Sequence, residues 1–168
     1  MLQPKKYMFD TNIFSNLIAG KIRPDELPAD GEYWATNVQR EELKNAKDDG
    51  LRSRLLSTFK ETVEDNATLI PPAFAFNVPG AGFGQGEWRS NSTLWQSLKD
   101  DLDAEWEKLP AKKKKSRKKS NNIPDASIAE AAFHNGLILV TSDELLAFVA
   151  TKHQIQVQYL KVRKANIA

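Results

Sequence analysis

Leu137-Ile138-Leu139-Val140 is an unbroken apolar run, preceded by Asn135-Gly136 and followed by Thr141-Ser142-Asp143. A strand with one face in water alternates apolar and polar residues. A run without alternation reads as a strand covered on both faces, the condition of a parallel sheet between two layers of helices. The flanks agree with that reading. Ahead of the run, Pro124 is suited to the first turn of a helix carrying Asp125, Ile128, Ala129 and Ala132, which Asn135-Gly136 ends. Behind it, Asp143 opens a helix with Leu145, Leu146, Phe148 and Val149, and Ile155 to Leu160 reads as a last strand.

The N-terminal part repeats the alternation. Lys5 to Phe9 is a short β-prone run that stops at Asp10, and Thr11 or Asn12 caps a helix with Ile13, Phe14, Leu17 and Ile18, closed by Gly20. Glu32-Tyr33-Trp34-Ala35 suits a second strand, followed by a helix capped by Thr36 or Asn37 and running to about Lys47. Leu51, Leu55, Leu56, Phe59 and Val63 share one face of a helix from about Gly50 to Glu64. Thr68-Leu69-Ile70 fits a third strand, ended by Pro71-Pro72. A helix from about Thr93 to Leu109 carries Leu94, Trp95, Leu98, Leu102 and Trp106. Strands alternating with helices imply right-handed crossovers, a mainly parallel central sheet and one α/β domain over residues 1–168.

Two segments stand outside this pattern. Residues 73–91 hold Pro79, Gly80, Gly82, Gly84 and Gly86 interleaved with Phe74, Phe76, Phe83 and Trp88, and support no regular period. The aromatics either stack on bases or pack the loop onto its own domain. Residues 112–119 read KKKKSRKK, a polar linker, and follow a segment with five acids among residues 100–107. The two blocks nearly cancel, so the formal charge is only +2. The basic run is either a phosphate-contacting surface or a solvated loop.

The chain has no cysteine, which excludes disulfide frameworks, Cys-type zinc clusters and thiol catalysis. No stretch approaches the roughly 20 apolar residues that span a bilayer, and the start of the chain has no signal-like apolar run. A cytoplasmic protein without a membrane partner is expected. His134 and His153 lack ligand spacing, and His134 at a helix end reads as a surface or dipole-stabilised residue.

The chemistry rests on acids. In open parallel sheets the ligand site forms at the carboxyl ends of the strands. Asp10 and Asp143 fall at or near such ends, Asp125 in a first helical turn, and Glu42 about one turn inside the helix after Trp34. If they converge, their mutual repulsion calls for a neutralising cation, and carboxylate oxygens suit Mg²⁺ or Mn²⁺. Taken singly, each has another reading: Asp125 as a charge on a helix N-terminus, Asp143 as a cap, Glu42 as a solvated helix residue.

Three stretches taken together carry a resemblance. They are Tyr7-Met8-Phe9-Asp10-Thr11-Asn12-Ile13-Phe14, the pair Glu42-Leu43, and the block DASIAEAAFHNGLILVTSDELL that begins at Asp125. This pattern resembles the PIN-domain nucleases, which include the VapC-type toxins of bacterial toxin–antitoxin modules. The stretch from Gly50 to Ser120 enters only through the general expectation of helices, and the glycine-rich loop and the lysine run lie outside the pattern of small PIN toxins.

The resemblance implies a three-layer α/β/α domain and a Mg²⁺- or Mn²⁺-dependent endoribonuclease, with RNA as substrate and an antitoxin protein as the partner of a toxin. Asp10, Glu42, Asp125 and Asp143 match the family's acidic ligands, and Leu43 with the helix register favours Glu42 over Glu41. Thr11, Asn12, Thr141 and Ser142 are expected to brace the carboxylates. Lys112, Lys113, Lys114, Lys115, Arg117, Lys118 and Lys119 are the candidate RNA contacts. A homodimer is left open, since exposed helix faces pair readily. The alternative is a catalytically inactive RNA- or protein-binding module on the same fold. A phosphatase would want Asp where Asn12 stands, and a receiver domain would want an acid pair and a late lysine that are not visible.

Overall fold

The computed structural model describes residues 3–72, 78–82, 84, 86 and 93–163. Five parallel strands form its centre: β1 (Lys5–Phe9), β2 (Gly31–Ala35), β3 (Ala67–Leu69), β4 (Ile138–Thr141) and β5 (Val157–Tyr159), in the order β3-β2-β1-β4-β5. The chain builds outward from β1 to β3 on one side, then returns to add β4 and β5 on the other. The order therefore reverses at β1, and the crevice between the carboxyl ends of β1 and β4 is where such a sheet offers a site.

Seven helices accompany the sheet among the described residues: α1 (Asn12–Ile18), α2 (Asn37–Lys44), α3 (Asp49–Thr62), α4 (Thr93–Glu107), α5 (Ala111–Ser116), α6 (Asn122–His134) and α7 (Glu144–Lys152). The pleat sends alternate strand residues into two cores. Met8 and Leu139 pack with Leu98, Leu102, Ile128, Leu146 and Val149 from α4, α6 and α7. Tyr7, Phe9 and Val140 pack on the other face with Ile13, Phe14, Leu55 and Phe59 from α1 and α3. Phe14 and Phe59 meet edge-to-face at 5.1 Å, as do Phe9 and Tyr33. The result is the α/β fold with helices on both faces of a parallel sheet that the apolar run 137–140 implied.

Gly136 ends α6 with φ +60°, the left-handed turn anticipated from Asn135-Gly136, and lets the chain enter β4 directly. Gly80, with φ +84°, has no room for a side chain: a Cβ there would lie 2.6 Å from the backbone carbon of Asn37. That approach, with Val78 and Ala81 buried in the core, seats residues 78–81 against the start of α2. Phe74, Phe76, Phe83 and Trp88 lie outside the described residues.

The lysine run departs from expectation. Instead of a plain linker, residues 111–116 form α5, entered from Pro110 and followed by a 3₁₀ turn at Lys119–Asn121. Alanine and lysine are good helix formers, and the lysines have local partners: the Lys114 and Lys119 ammonium groups lie 4.8 and 5.6 Å from the centre of the Trp106 ring. The α2 helix ends at Lys44 rather than about Lys47. Among the described residues no helix is long and apolar enough to cross a membrane.

Candidate active site

Asp10 follows β1 directly, and its N–H extends the ladder by donating to the Val140 carbonyl at 2.9 Å. This fixes its backbone beside β4 and buries the carboxyl. Thr141, the last residue of β4, donates its hydroxyl to Asp10 Oδ2 at 2.7 Å and accepts the Asp143 N–H at 3.0 Å. Asp143 in turn caps α7, accepting at Oδ1 from the N–H groups of Leu145 (2.8 Å) and Leu146 (3.2 Å). Its Oδ2 remains for other partners.

Glu42 approaches from α2. Thr11 precedes α1 but makes no capping bond with its side chain. Its hydroxyl donates instead to Glu42 Oε2 at 2.7 Å, with Asp10 Oδ1 at 3.5 Å, so a residue expected to cap a helix ties two acids together. Asn12 Oδ1 accepts from the Ser142 N–H (3.2 Å) and hydroxyl (2.8 Å), joining the start of α1 to the β4–α7 turn. Asp125, in the first turn of α6, completes the group.

The electrostatics record how close these acids are. Burial, then the charge of Asp143, pushes the Asp10 carboxyl up to about 6. Burial, then Asp10, pushes Glu42 up to about 7. Asp125 lies well above the usual carboxylate range, first through burial and then through Asp10 and Glu42. The structure thus brings Asp10, Glu42, Asp125 and Asp143 to one edge of the sheet. As the side chains stand, no three acidic, imidazole or thiol groups among the described residues close into a metal-holding cluster. The donor set is chemically suited to Mg²⁺ or Mn²⁺, being carboxylate oxygens with mutual repulsion to relieve. Its present arrangement is organised around something else.

That something is Arg117. Its Nη2 meets Asp125 Oδ2 at 2.6 Å, its Nε meets Asp143 Oδ2 at 2.5 Å, and its Nη1 donates to Asn122 Oδ1. Grouped with the basic run in sequence, Arg117 stands apart from it in space, with a side chain only 12% exposed. The rest of the run is divided. Lys113 pairs with Glu144, and Lys114 and Lys119 pair with Glu107. Lys112, Lys115 and Lys118 have no ion pair among the described residues.

Other residues support the site. Buried Gln39 donates to the Phe9 carbonyl at 3.1 Å and accepts from both the N–H and the hydroxyl of Thr36, which holds α2 to the end of β1. Asn16 donates to the Ser142 hydroxyl at 2.8 Å. Asn122 passes the Arg117 contact on to Asp103, which pairs with Lys99. A polar residue one helical turn after Asn12 hinted at Asn16, whereas Gln39 and Asn122 depend on contacts between distant elements. His134 pairs with Glu130 and His153 with Asp101.

No protein-family model matches the chain, and no curated protein matches it. Among solved structures, a domain of a functionally unknown protein from Methanocaldococcus jannaschii matches with a TM-score of 0.53 at 15% identity, covering 98% of this chain and 96% of that one. It shares the fold. Two looser likenesses are a member of the VapBC family of toxin–antitoxin systems, VapBC-5 from Mycobacterium tuberculosis, and FitAcB from Neisseria gonorrhoeae. The first has a TM-score of 0.48 and 19% identity, covering 95% of this chain and all of that one. The second has 0.44 and 12%, covering 90% and 95%.

Proposed function

We propose that the protein is a Mg²⁺- or Mn²⁺-dependent endoribonuclease. The observation that carries this reading is the gathering of Asp10, Glu42, Asp125 and Asp143, from four separate elements, at the switch point of a parallel sheet. Acids that raise one another's proton affinity in a buried site are costly to the fold, and a cation-binding role accounts for them. Asp10 and Asp125 would be the principal ligands, with Asp143 beside them. When bound, the cation supplies charge neutralisation and Lewis acidity toward a phosphodiester and its attacking water.

The chain's own groups do the rest. Thr141 fixes the orientation of Asp10 through its hydroxyl, and Thr11 does the same for Glu42. Glu42, oriented by the Thr11 hydroxyl beside the other acids, is placed to accept a proton from water. The water oxygen bonds to phosphorus, its proton passes to Glu42, and the P–O ester bond breaks, with the leaving oxygen protonated by solvent. Lys112, Lys115 and Lys118 offer exposed charge to the RNA backbone.

The resemblance to VapC-type nucleases extends the proposal to a toxin held by an antitoxin protein. An adjacent small gene whose product relieves growth arrest caused by this chain would test that partnership. The activity itself is tested by incubating RNA with the purified protein. Cleavage is expected with Mg²⁺ or Mn²⁺, none with EDTA, and none for Asp10→Asn or Asp125→Asn, which keep shape but remove charge. Cleavage that persists through chelation and both substitutions eliminates the metal mechanism. One observation favours a second reading: Arg117 already neutralises two of the acids, as suits an inactive RNA- or protein-binding module. RNA binding without cleavage under every metal condition would select it.

A further inference from the structure

Arg117 stands where it meets two of the proposed ligands at once. Its planar guanidinium spans Asp125 and Asp143 and has a third partner in Asn122. Such a fork matches carboxylates in geometry and carries a permanent charge. A cation held by Asp143 competes with Arg117 for Oδ2, because Oδ1 caps α7, and one held by Asp125 meets the guanidinium charge already seated on that carboxylate. Resting on the metal-dependent reading above, we infer that Arg117 is an internal latch: its guanidinium and the divalent cation are alternative occupants of the Asp125–Asp143 side of the site.

The segment that carries Arg117 is held mainly by contacts at the surface. The α5 helix buries none of its residues. The segment's side-chain ties are mainly ion pairs at the surface, such as Lys113–Glu144, with side chains 58% and 71% exposed, and, beyond α5, Lys119–Glu107, 46% and 56% exposed; Lys114, 28% exposed, lies over the Trp106 ring. Exposed pairs of this kind contribute little and weaken in salt. Apart from the guanidinium, the inward anchor of Arg117 is its carbonyl, which accepts the Trp106 indole N–H at 2.8 Å.

The segment also lies between two cavities. One, of about 870 Å³, is lined by Thr11, Glu42, Leu55, Lys118 and Pro124. The other, of about 600 Å³, is lined by Arg117, Asp143, Tyr159 and Lys161. Both are bounded by Asn12, Ser116 and Asn121. Release of Arg117 opens the carboxylates to a cation and joins the two cavities across the site.

Two measurements test the latch. A latch closed about nine-tenths of the time lowers apparent cation affinity about tenfold. Mn²⁺ titration followed by electron paramagnetic resonance should therefore show Arg117→Gln binding about tenfold or more tightly than the parent, each checked for folding by circular dichroism. In the parent, where folding is not at issue, the Trp106 indole N–H is followed by NMR during Mg²⁺ titration, its signal assigned with Trp106→Phe. Saturation should shift that signal and speed its exchange with solvent, because its acceptor is the Arg117 carbonyl. Equal or weaker Mn²⁺ binding by Arg117→Gln overturns the latch, and so does Mg²⁺ saturation that leaves the indole signal in place. If neither the parent nor Arg117→Gln binds a divalent cation, the metal-dependent reading itself fails and the latch falls with it.

Discussion

At the scale of single residues, one hydroxyl organises much of the site. Thr141 is fully buried, donates to Asp10 and accepts from the Asp143 N–H, so it sets the position of two acids through one oxygen. Thr141→Val keeps the shape and removes the hydroxyl. It should leave a buried carboxyl and an N–H short of a partner and cost about 1–3 kcal/mol, read as a lower urea midpoint at unchanged slope. Because that hydroxyl favours the ionised form of Asp10, the variant should hold Asp10 still higher than about 6 and move any activity profile to higher pH. On the metal-dependent reading proposed above, activity should fall about 10- to 100-fold. An unchanged profile would detach Thr141 from Asp10's role. Asp10, Asp125 and Asp143 were legible in sequence because each sits at a strand end or a helix start, whereas Glu42 lies inside α2 and rested on the family resemblance. Arg117 was hidden by its neighbours: amid KKKKSRKK, nothing local separates a guanidinium turned inward from lysines turned outward.

At the scale of elements, hydrophobic pattern was a good guide to existence and type. Every strand of the sheet was visible as a short apolar or β-branched run, while strand order was not, since pairing depends on crossovers rather than on the strands themselves. The α5 helix was missed because a charge run has no apolar period from which to infer a helix. It forms through intrinsic propensity and through the Trp106 ring and Glu107 nearby. This bears on the basic surface. Replacing Lys112 to Lys115 with glutamine removes surface charges and the half-buried Lys114 contact with Trp106 and Glu107, none of them in the core, so the melting transition should fall only slightly. RNA affinity should drop, and the slope of log affinity against log salt should flatten by about 0.7 for each single-strand phosphate that the variant no longer neutralises. Equal slopes in parent and variant would make these lysines a solvated face whose work is to hold α5 near Glu107 and Glu144.

At the scale of the whole molecule, a clustered acidic site sets a cost on the metal-free fold that varies with pH. An acid whose folded-state pKa is raised binds its proton more tightly in the folded chain than in the unfolded one. The stability it contributes is complete below the ordinary carboxylate value near 4 and is lost as pH rises through the folded value. For Asp10 that loss centres on the interval up to about 6, and for Glu42 up to about 7, with Asp125 acting in the same direction. Arg117 offsets part of this cost by neutralising Asp125. Glu26, Asp30, Asp101, Asp103 and Glu107 are held low and so contribute in the opposite sense, but their effect is confined to more acidic solution. Between pH 5 and 8 the clustered acids therefore dominate. Urea unfolding in EDTA should show stability falling across that interval by on the order of a few kcal/mol, at about 1.4 kcal/mol for each tenfold difference in proton affinity between the folded and unfolded chain. Saturating Mn²⁺ should flatten the fall by binding the folded state alone. Asp10→Asn should be more stable than the parent at pH 8 without metal, since it removes one of the mutually repelling charges. A parent stability that holds level or climbs from pH 5 to 8 in EDTA would mean that Arg117 and the bracing hydroxyls already compensate the acids in full, leaving no electrostatic demand for a cation.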